Sequence, residues 1–149
     1  LFIVSAEAHL MKLKLVDKRE QKAKVSGDKF LLDIAISNLI GNSIKYGVDG
    51  GNVEVTINSD SKNLIIEVCD DGVGIPEDEQ PKIFKDFYRA MNVKKIVSEG
   101  SGLGLSVVKR IVERHGGKVE VQSPSRMANR DHPGTCLRIE IPFLRKEKV

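Results

Sequence analysis

Three groupings in this 149-residue chain combine residue types and spacings that could do chemistry. Asn38, Asn42 and Lys45 come first. At about 100° per residue they fall within about 60° of one another on a helix, one stripe. An amide oxygen is a hard ligand suited to Mg²⁺, and a lysine is a compact cation for phosphate. The stripe could therefore face a metal-bound phosphate, or it could simply face solvent. The second grouping is Asp70-Asp71-Gly72-Val73-Gly74-Ile75, directly after a strand-like run. A carboxylate there can accept a hydrogen bond from a ligand amine, and the glycines let backbone approach closely. The plainer reading is an Asp-Gly turn. The third is Gly100-Ser101-Gly102-Leu103-Gly104-Leu105, which opens a helical pattern. Unhindered N–H groups ahead of a helix N-terminus make an anion site; the alternative is a hinge. The spacing is neither the dinucleotide-binding fingerprint nor a Walker loop.

The elements that must position these groups can be read from periodicity. Leu10 to Val16 alternates as a half-buried strand, and Ala23 to Val25 is a short extended piece. Asp28 is placed to cap a helix over 29–46, with Leu32, Ile36, Leu39 and Ile40 on one face and Gly47 as its stop. Val53 to Asn58 and Leu64 to Cys69 form a hairpin. Periodicity is poor from Asp70 to Ser101, with one short helical piece around Pro81 to Tyr88. A helix runs from Leu103 to His115, followed by strands at Lys118 to Gln122 and Thr135 to Ile141, with a polar loop between them. Strands in hairpins point to a mixed sheet, and the fold class read here is a two-layer α/β sandwich with helices on one face.

Composition narrows the setting. A hydrophobic fraction of 40% can furnish one core, and a net charge of +3, scattered along the chain, is no nucleic-acid footprint. Apolar stretches are broken well before the roughly 18 residues a bilayer needs, so no direct membrane insertion is expected. Cys69 and Cys136 lie far apart in sequence, each within an apolar run, and are expected as reduced thiols in a cytoplasmic protein. The chain opens Leu1-Phe2-Ile3-Val4 and reads as a piece of a longer protein, a single domain over 1–149.

Taken together and in order, the groupings resemble the histidine-kinase branch of the ATPase superfamily shared with type II topoisomerases, heat-shock chaperones and mismatch-repair proteins (the GHKL or Bergerat-fold ATPases). Asn38-Leu39-Ile40-Gly41-Asn42-Ser43-Ile44-Lys45-Tyr46 resembles the asparagine box, and Asp70-x-Gly72-x-Gly74-Ile75 the first glycine box. Ile83-Phe84-Lys85-Asp86-Phe87-Tyr88-Arg89 resembles the phenylalanine box. Gly100-Ser101-Gly102-Leu103-Gly104-Leu105-Ser106 resembles the second glycine box, and Gly134-Thr135 the short last one. The likeness runs from about Asp28 to Pro142.

The resemblance implies a Bergerat-type ATP-binding fold and a role for each matching residue. Asp70 would accept the exocyclic amine of adenine, with Gly72, Gly74, Ile75 and Thr135 around the base and Tyr46 near base and sugar. Asn42 would hold Mg²⁺. Asn38 and Lys45 would lie near the phosphates, and Arg89 is a candidate for stabilising charge on the γ-phosphate, although a surface ion pair would also explain it. Residues 90–101 would form a mobile lid, with Gly100, Ser101, Gly102, Leu103, Gly104 and Leu105 supplying its hinge and phosphate-binding backbone. Asp71 stands where Asn is common, a departure expected to be without consequence. Lys94 and Lys95 make the lid basic.

ATP-hydrolysing branches carry a Glu four residues before the metal asparagine. Here that residue is Asn38, which has no basic lone pair to activate water. The implied activity is transfer of the γ-phosphoryl of ATP to a histidine on a separate dimerisation domain of the same parent protein, with a response regulator downstream. His9, His115 and His132 lack a phosphoacceptor context and are expected to be structural or incidental; His115 sits at a helix C-terminus, where partial positive charge is favourable. A serine-type protein kinase of the same fold, or a silent nucleotide-binding module, are the alternatives.

Overall fold

The computed structural model describes residues 10–20, 22, 24–88 and 104–144. Five strands form one sheet in the order β1-β2-β3-β5-β4. They are β1 (Lys12–Asp17), β2 (Asn52–Ser59), β3 (Asn63–Asp70), β4 (Lys118–Gln122) and β5 (Cys136–Pro142). The pairing of β1 with β2 is parallel and the others are antiparallel, so the sheet is mixed. The β2–β3 hairpin closes on Asp60, whose carboxylate accepts the N–H groups of Lys62 and Asn63, both at 2.7 Å.

Among the described residues two helices cover one face: α1 (Lys29–Lys45) and α2 (Gly104–Arg114). Asp28 caps α1 as expected, its side chain accepting the N–H of Leu31 at 3.1 Å. Period-two alternation sends Val53, Val55, Ile66, Val68, Leu137, Ile139 and Ile141 toward the helices. There they meet Ala35, Leu39 and Ile44 of α1 and Val108, Ile111 and Val112 of α2 in one core. The opposite face is a charged lattice set by register. Glu67 sits opposite Arg138, and Arg138 opposite Glu120. Arg138 pairs with Glu140 at 2.8 Å, and Arg126 reaches over from the β4–β5 loop to Glu54 at 3.1 Å. One face on the core and one in water is what an antiparallel meander does with such a pattern. Among the described residues no helix is long and apolar enough to cross a membrane.

Two expectations need correction. The piece at 81–88 is only a single 3₁₀ turn, Gln80–Lys82, followed by turns. Its N–H groups bond three residues back, Lys82 to Glu79, Ile83 to Gln80 and Lys85 to Lys82, so the segment proceeds by tight turns and not as an α-helix. The cysteines are not separate thiols. β3–β5 register sets Cys69 directly opposite Cys136, and their sulfurs are bonded at 2.03 Å. A sequence separation of 67 residues conceals a pairing that only strand register creates.

Candidate functional site

β3 ends in a carboxylate, Asp70, that is 5% exposed. Its Oδ1 accepts the N–H of Gly72 at 2.9 Å and the N–H of Thr135 at 3.1 Å. Neither of these backbone bonds falls on Oδ2. Burial pushes the Asp70 pKa up to about 6, against the pull of the Gly72 N–H, the Ser43 hydroxyl and the Thr135 N–H, while the nearby Asp71 raises it further. A carboxylate desolvated this far, yet aimed by fixed donors, is suited to reading a ligand amine.

Glycine is required where chains meet at this carboxylate. A Cβ on Gly72 would lie 2.6 Å from the carbonyl oxygen of Tyr46. Its absence lets the end of β3 close on the C-terminus of α1. Gly134 has φ 64°, and a Cβ there would lie 2.1 Å from the carbonyl oxygen of Asp70. Both places exclude any other residue.

From the helix side, α1 presents its polar stripe. Ser43, 3% exposed, bonds Asp70. The Lys45 ammonium lies 5.4 Å from the centre of the Tyr46 ring, within cation–π range. A Cβ built on Gly104 would sit 3.6 Å from Asn38 Oδ1, so the first asparagine of the stripe abuts the start of α2. Asn42 and Lys45 are half-buried on the same helix. Ile75 donates its N–H to Ser123 Oγ at 3.0 Å, Gly74 is buried, and Thr135 is 8% exposed beside Asp70. The fold thus brings Asn38, Tyr46, Asp70, Gly72, Gly104 and Thr135 to one end of the sheet. Leu105 packs half-buried on the core. Arg89, Gly100, Ser101, Gly102, Leu103 and the lid at 90–101 lie outside the described residues.

Three details go beyond the expectation. Asp71 has a consequence: 7% exposed, it accepts the Asn52 N–H on Oδ1 and the Asn52 side-chain amide on Oδ2, both at 2.7 Å. An asparagine could accept with one atom only. His115 is structural and ties the two helices together. Its Nε2 accepts the N–H of Asp28 at 3.0 Å, which leaves the proton on Nδ1 facing the Ile111 carbonyl at 2.7 Å. The loop between β4 and β5 is polar but not merely solvated, since Ser125 is 6% exposed and bonded to Asp70. Ser43 and Ser125 carried no sequence signal, because a serine in a helix or polar loop is ordinary until its partner is known. A cleft of about 570 Å³ runs along β4, lined by Gln80, Phe84, Glu120 and Arg138, and none of the expected site residues lines it.

The donor set also bears on a metal. Among the described residues no cluster of three His, Cys, Asp or Glu could hold an ion by itself. An amide from Asn42 fits Mg²⁺, which keeps most of its water and takes few protein ligands when phosphate oxygens are present.

Comparison with known proteins agrees with this arrangement. Residues 27–145 match the family described as histidine kinase-, DNA gyrase B-, and HSP90-like ATPase. The chain is similar to histidine kinase P4 of Formosa agariphila, 36% identical over 119 residues, covering 78% of this chain and 8% of that protein. It is also similar to the adaptive-response sensory kinase SasA of Prochlorococcus marinus, 38% identical over 120 residues, covering 80% of this chain and 30% of that protein. The chain therefore spans less than a third of the length of these relatives. Among solved structures, a mycobacterial sensor histidine kinase, MprB, superposes with a TM-score of 0.80 at 28% identity, covering 97% of this chain and 95% of that one. With the family model matching residues 27–145, the chain belongs to the histidine kinase-, gyrase B- and HSP90-like ATPases.

Proposed function

We propose that this chain is the ATP-binding catalytic domain of a two-component sensor histidine kinase. It would transfer the γ-phosphoryl of ATP to a histidine on a dimerisation domain of the same parent protein, from which a response regulator takes it. The observation that carries the reading is the buried Asp70 carboxylate at the end of β3, whose Oδ1 holds the Gly72 and Thr135 N–H groups while Oδ2 takes neither. Adenine offers an amine there and guanine does not. Asn38, where hydrolysing relatives need a base, supports transfer over hydrolysis. A neutral imidazole attacks without a base, so the domain's task is positioning and charge neutralisation.

In this reading Asp70 and Thr135 orient adenine, with Gly72, Gly74, Ile75 and Tyr46 around the base and sugar. Lys45, Asn38 and Arg89 neutralise and orient phosphate, and residues 100–105 with the 90–101 lid enclose it. Asn42 would hold Mg²⁺, which when bound neutralises charge between the phosphates. Residues 1–149 form one domain, placed in the cytoplasm because its substrate is ATP.

The test is incubation of the domain with γ-labelled ATP and a separately produced phosphoacceptor domain. Label should appear on the acceptor and be lost in acid, as phosphohistidine is. Acid-stable label would assign a serine kinase instead, and nucleotide binding without transfer would leave a silent module.

A further inference from the structure

Asp70 occupies the rung where the β3–β5 ladder ends, and that rung is wired differently from the rest. Asp70 donates its N–H to the Thr135 carbonyl at 2.9 Å, as an antiparallel pair requires. The return bond is exchanged. Thr135 N–H goes to the Asp70 carboxylate at 3.1 Å and not to the Asp70 carbonyl. That carbonyl takes the hydroxyl of Ser125 instead, at 2.8 Å. Ser125 Oγ is itself held by the N–H of Met127 at 3.0 Å, and the residue is 6% exposed. A second serine on the same loop braces the arrangement: Ser123 Oγ donates to the Gly134 carbonyl at 2.6 Å and accepts the Ile75 N–H at 3.0 Å.

We infer that Ser125 is a positioning residue for nucleobase recognition: by occupying the Asp70 carbonyl, it keeps the Thr135 N–H on the carboxylate and so aims the remaining oxygen at the adenine amine. Without that hydroxyl the Asp70 carbonyl is a buried acceptor with no partner, a costly state. The nearest remedy is for Thr135 N–H to return to it, completing the ordinary rung. Oδ1 then loses one of its two backbone donors and the carboxylate is free to turn. The loop from the far end of β4 thereby sets the specificity of a residue 55 positions earlier. This rests on the assignment of Asp70 as the reader of the adenine amine.

The experiment compares ATP with purine riboside triphosphate, which carries hydrogen in place of the 6-amino group. Dissociation constants are measured by calorimetry for the unaltered domain, Ser125→Ala and Ser123→Ala. The unaltered domain should prefer ATP by about ten- to a hundredfold, the range of a hydrogen bond to a charged group. Ser125→Ala should lose most of that preference through weaker ATP binding, with the amine-free nucleotide changed by less than about threefold. Ser123→Ala should shift the preference in the same direction, and it decides the matter if Ser125→Ala does not fold. Equal loss for both nucleotides, or a preference left intact, overturns the inference. An unaltered domain that shows no preference overturns the Asp70 assignment instead. A second reading needs no nucleotide. The Thr135 amide resonance should follow Asp70 ionisation near pH 6 in the unaltered domain and cease to do so in Ser125→Ala; tracking retained in the variant would refute the exchanged rung.

Discussion

At the scale of single residues, the site holds its main recognition group at a cost to the fold. An unfolded aspartate ionises near 3.8, whereas burial lifts Asp70 to about 6. The folded state thus binds this proton more tightly than the unfolded chain does. The contribution of Asp70 to stability is greatest in acid and declines as pH rises from 3.8 to about 6. At about 1.4 kcal/mol per pH unit, on the order of 3 kcal/mol is lost across that window. Asp70→Asn does not titrate, so at neutral pH it should melt higher than the unaltered domain, with the gain vanishing in acid. The same variant must put its one acceptor on the Gly72 and Thr135 N–H groups, which turns its amide donors toward the adenine amine. ATP affinity should fall at least about tenfold. A variant less stable at neutral pH, or one that binds ATP unchanged, would contradict this account. The acidic residue at 70 was plain in the sequence; its neighbours Ser43 and Ser125 were not, because hydroxyl groups acquire meaning only from what they touch.

Whole elements obey simpler rules, and most were legible. The alternation in β2, β3 and β5 and the Asp28 cap follow from local pattern, whereas the buried face of α1 is Ala35, Leu39, Ser43 and Ile44, sharing only Leu39 with the expected stripe. The stretch at 81–88 did not follow local pattern: Phe84 and Tyr88 stand at helical spacing and both pack on the core, yet the backbone between them is a run of turns. Junctions between elements are where local pattern fails most. Gly134 joins the β4–β5 loop to β5 at φ 64°, with the Asp70 carbonyl 2.1 Å from where a Cβ would be. Gly134→Ala therefore faces both a disfavoured backbone conformation and a collision with main chain. It should destabilise by more than about 1 kcal/mol and weaken ATP binding with it. Chemical denaturation and calorimetry on one preparation would check both, and a stable variant with intact ATP affinity would show that the close approach is dispensable.

On the scale of the whole molecule, two helices 59 residues apart, from Lys45 to Gly104, must be registered so that Asn38 meets Gly104 at the start of α2. The shared core does most of this, and His115 adds a pin. As a neutral imidazole it joins the C-terminal turn of α2 to the N-cap of α1, through Ile111 and Asp28. Gly27 packs so close to the ring that a Cβ there would lie 2.3 Å from it. His115→Ala removes both bonds and the packing, and should cost about 1–2 kcal/mol, read as a lower denaturation midpoint at unchanged slope. A midpoint that does not move would assign the link no energetic role. What the sequence determined by itself is what depends on neighbours along the chain: helix and strand periods, turns, caps, and motifs whose members lie within one element. The disulfide, the neutral His115, the anchoring of Asp71 by Asn52 and the exchanged rung at Asp70 were decided only by tertiary structure. Each joins groups from separate segments, and strand register and helix docking, not local propensity, bring such groups within bonding distance.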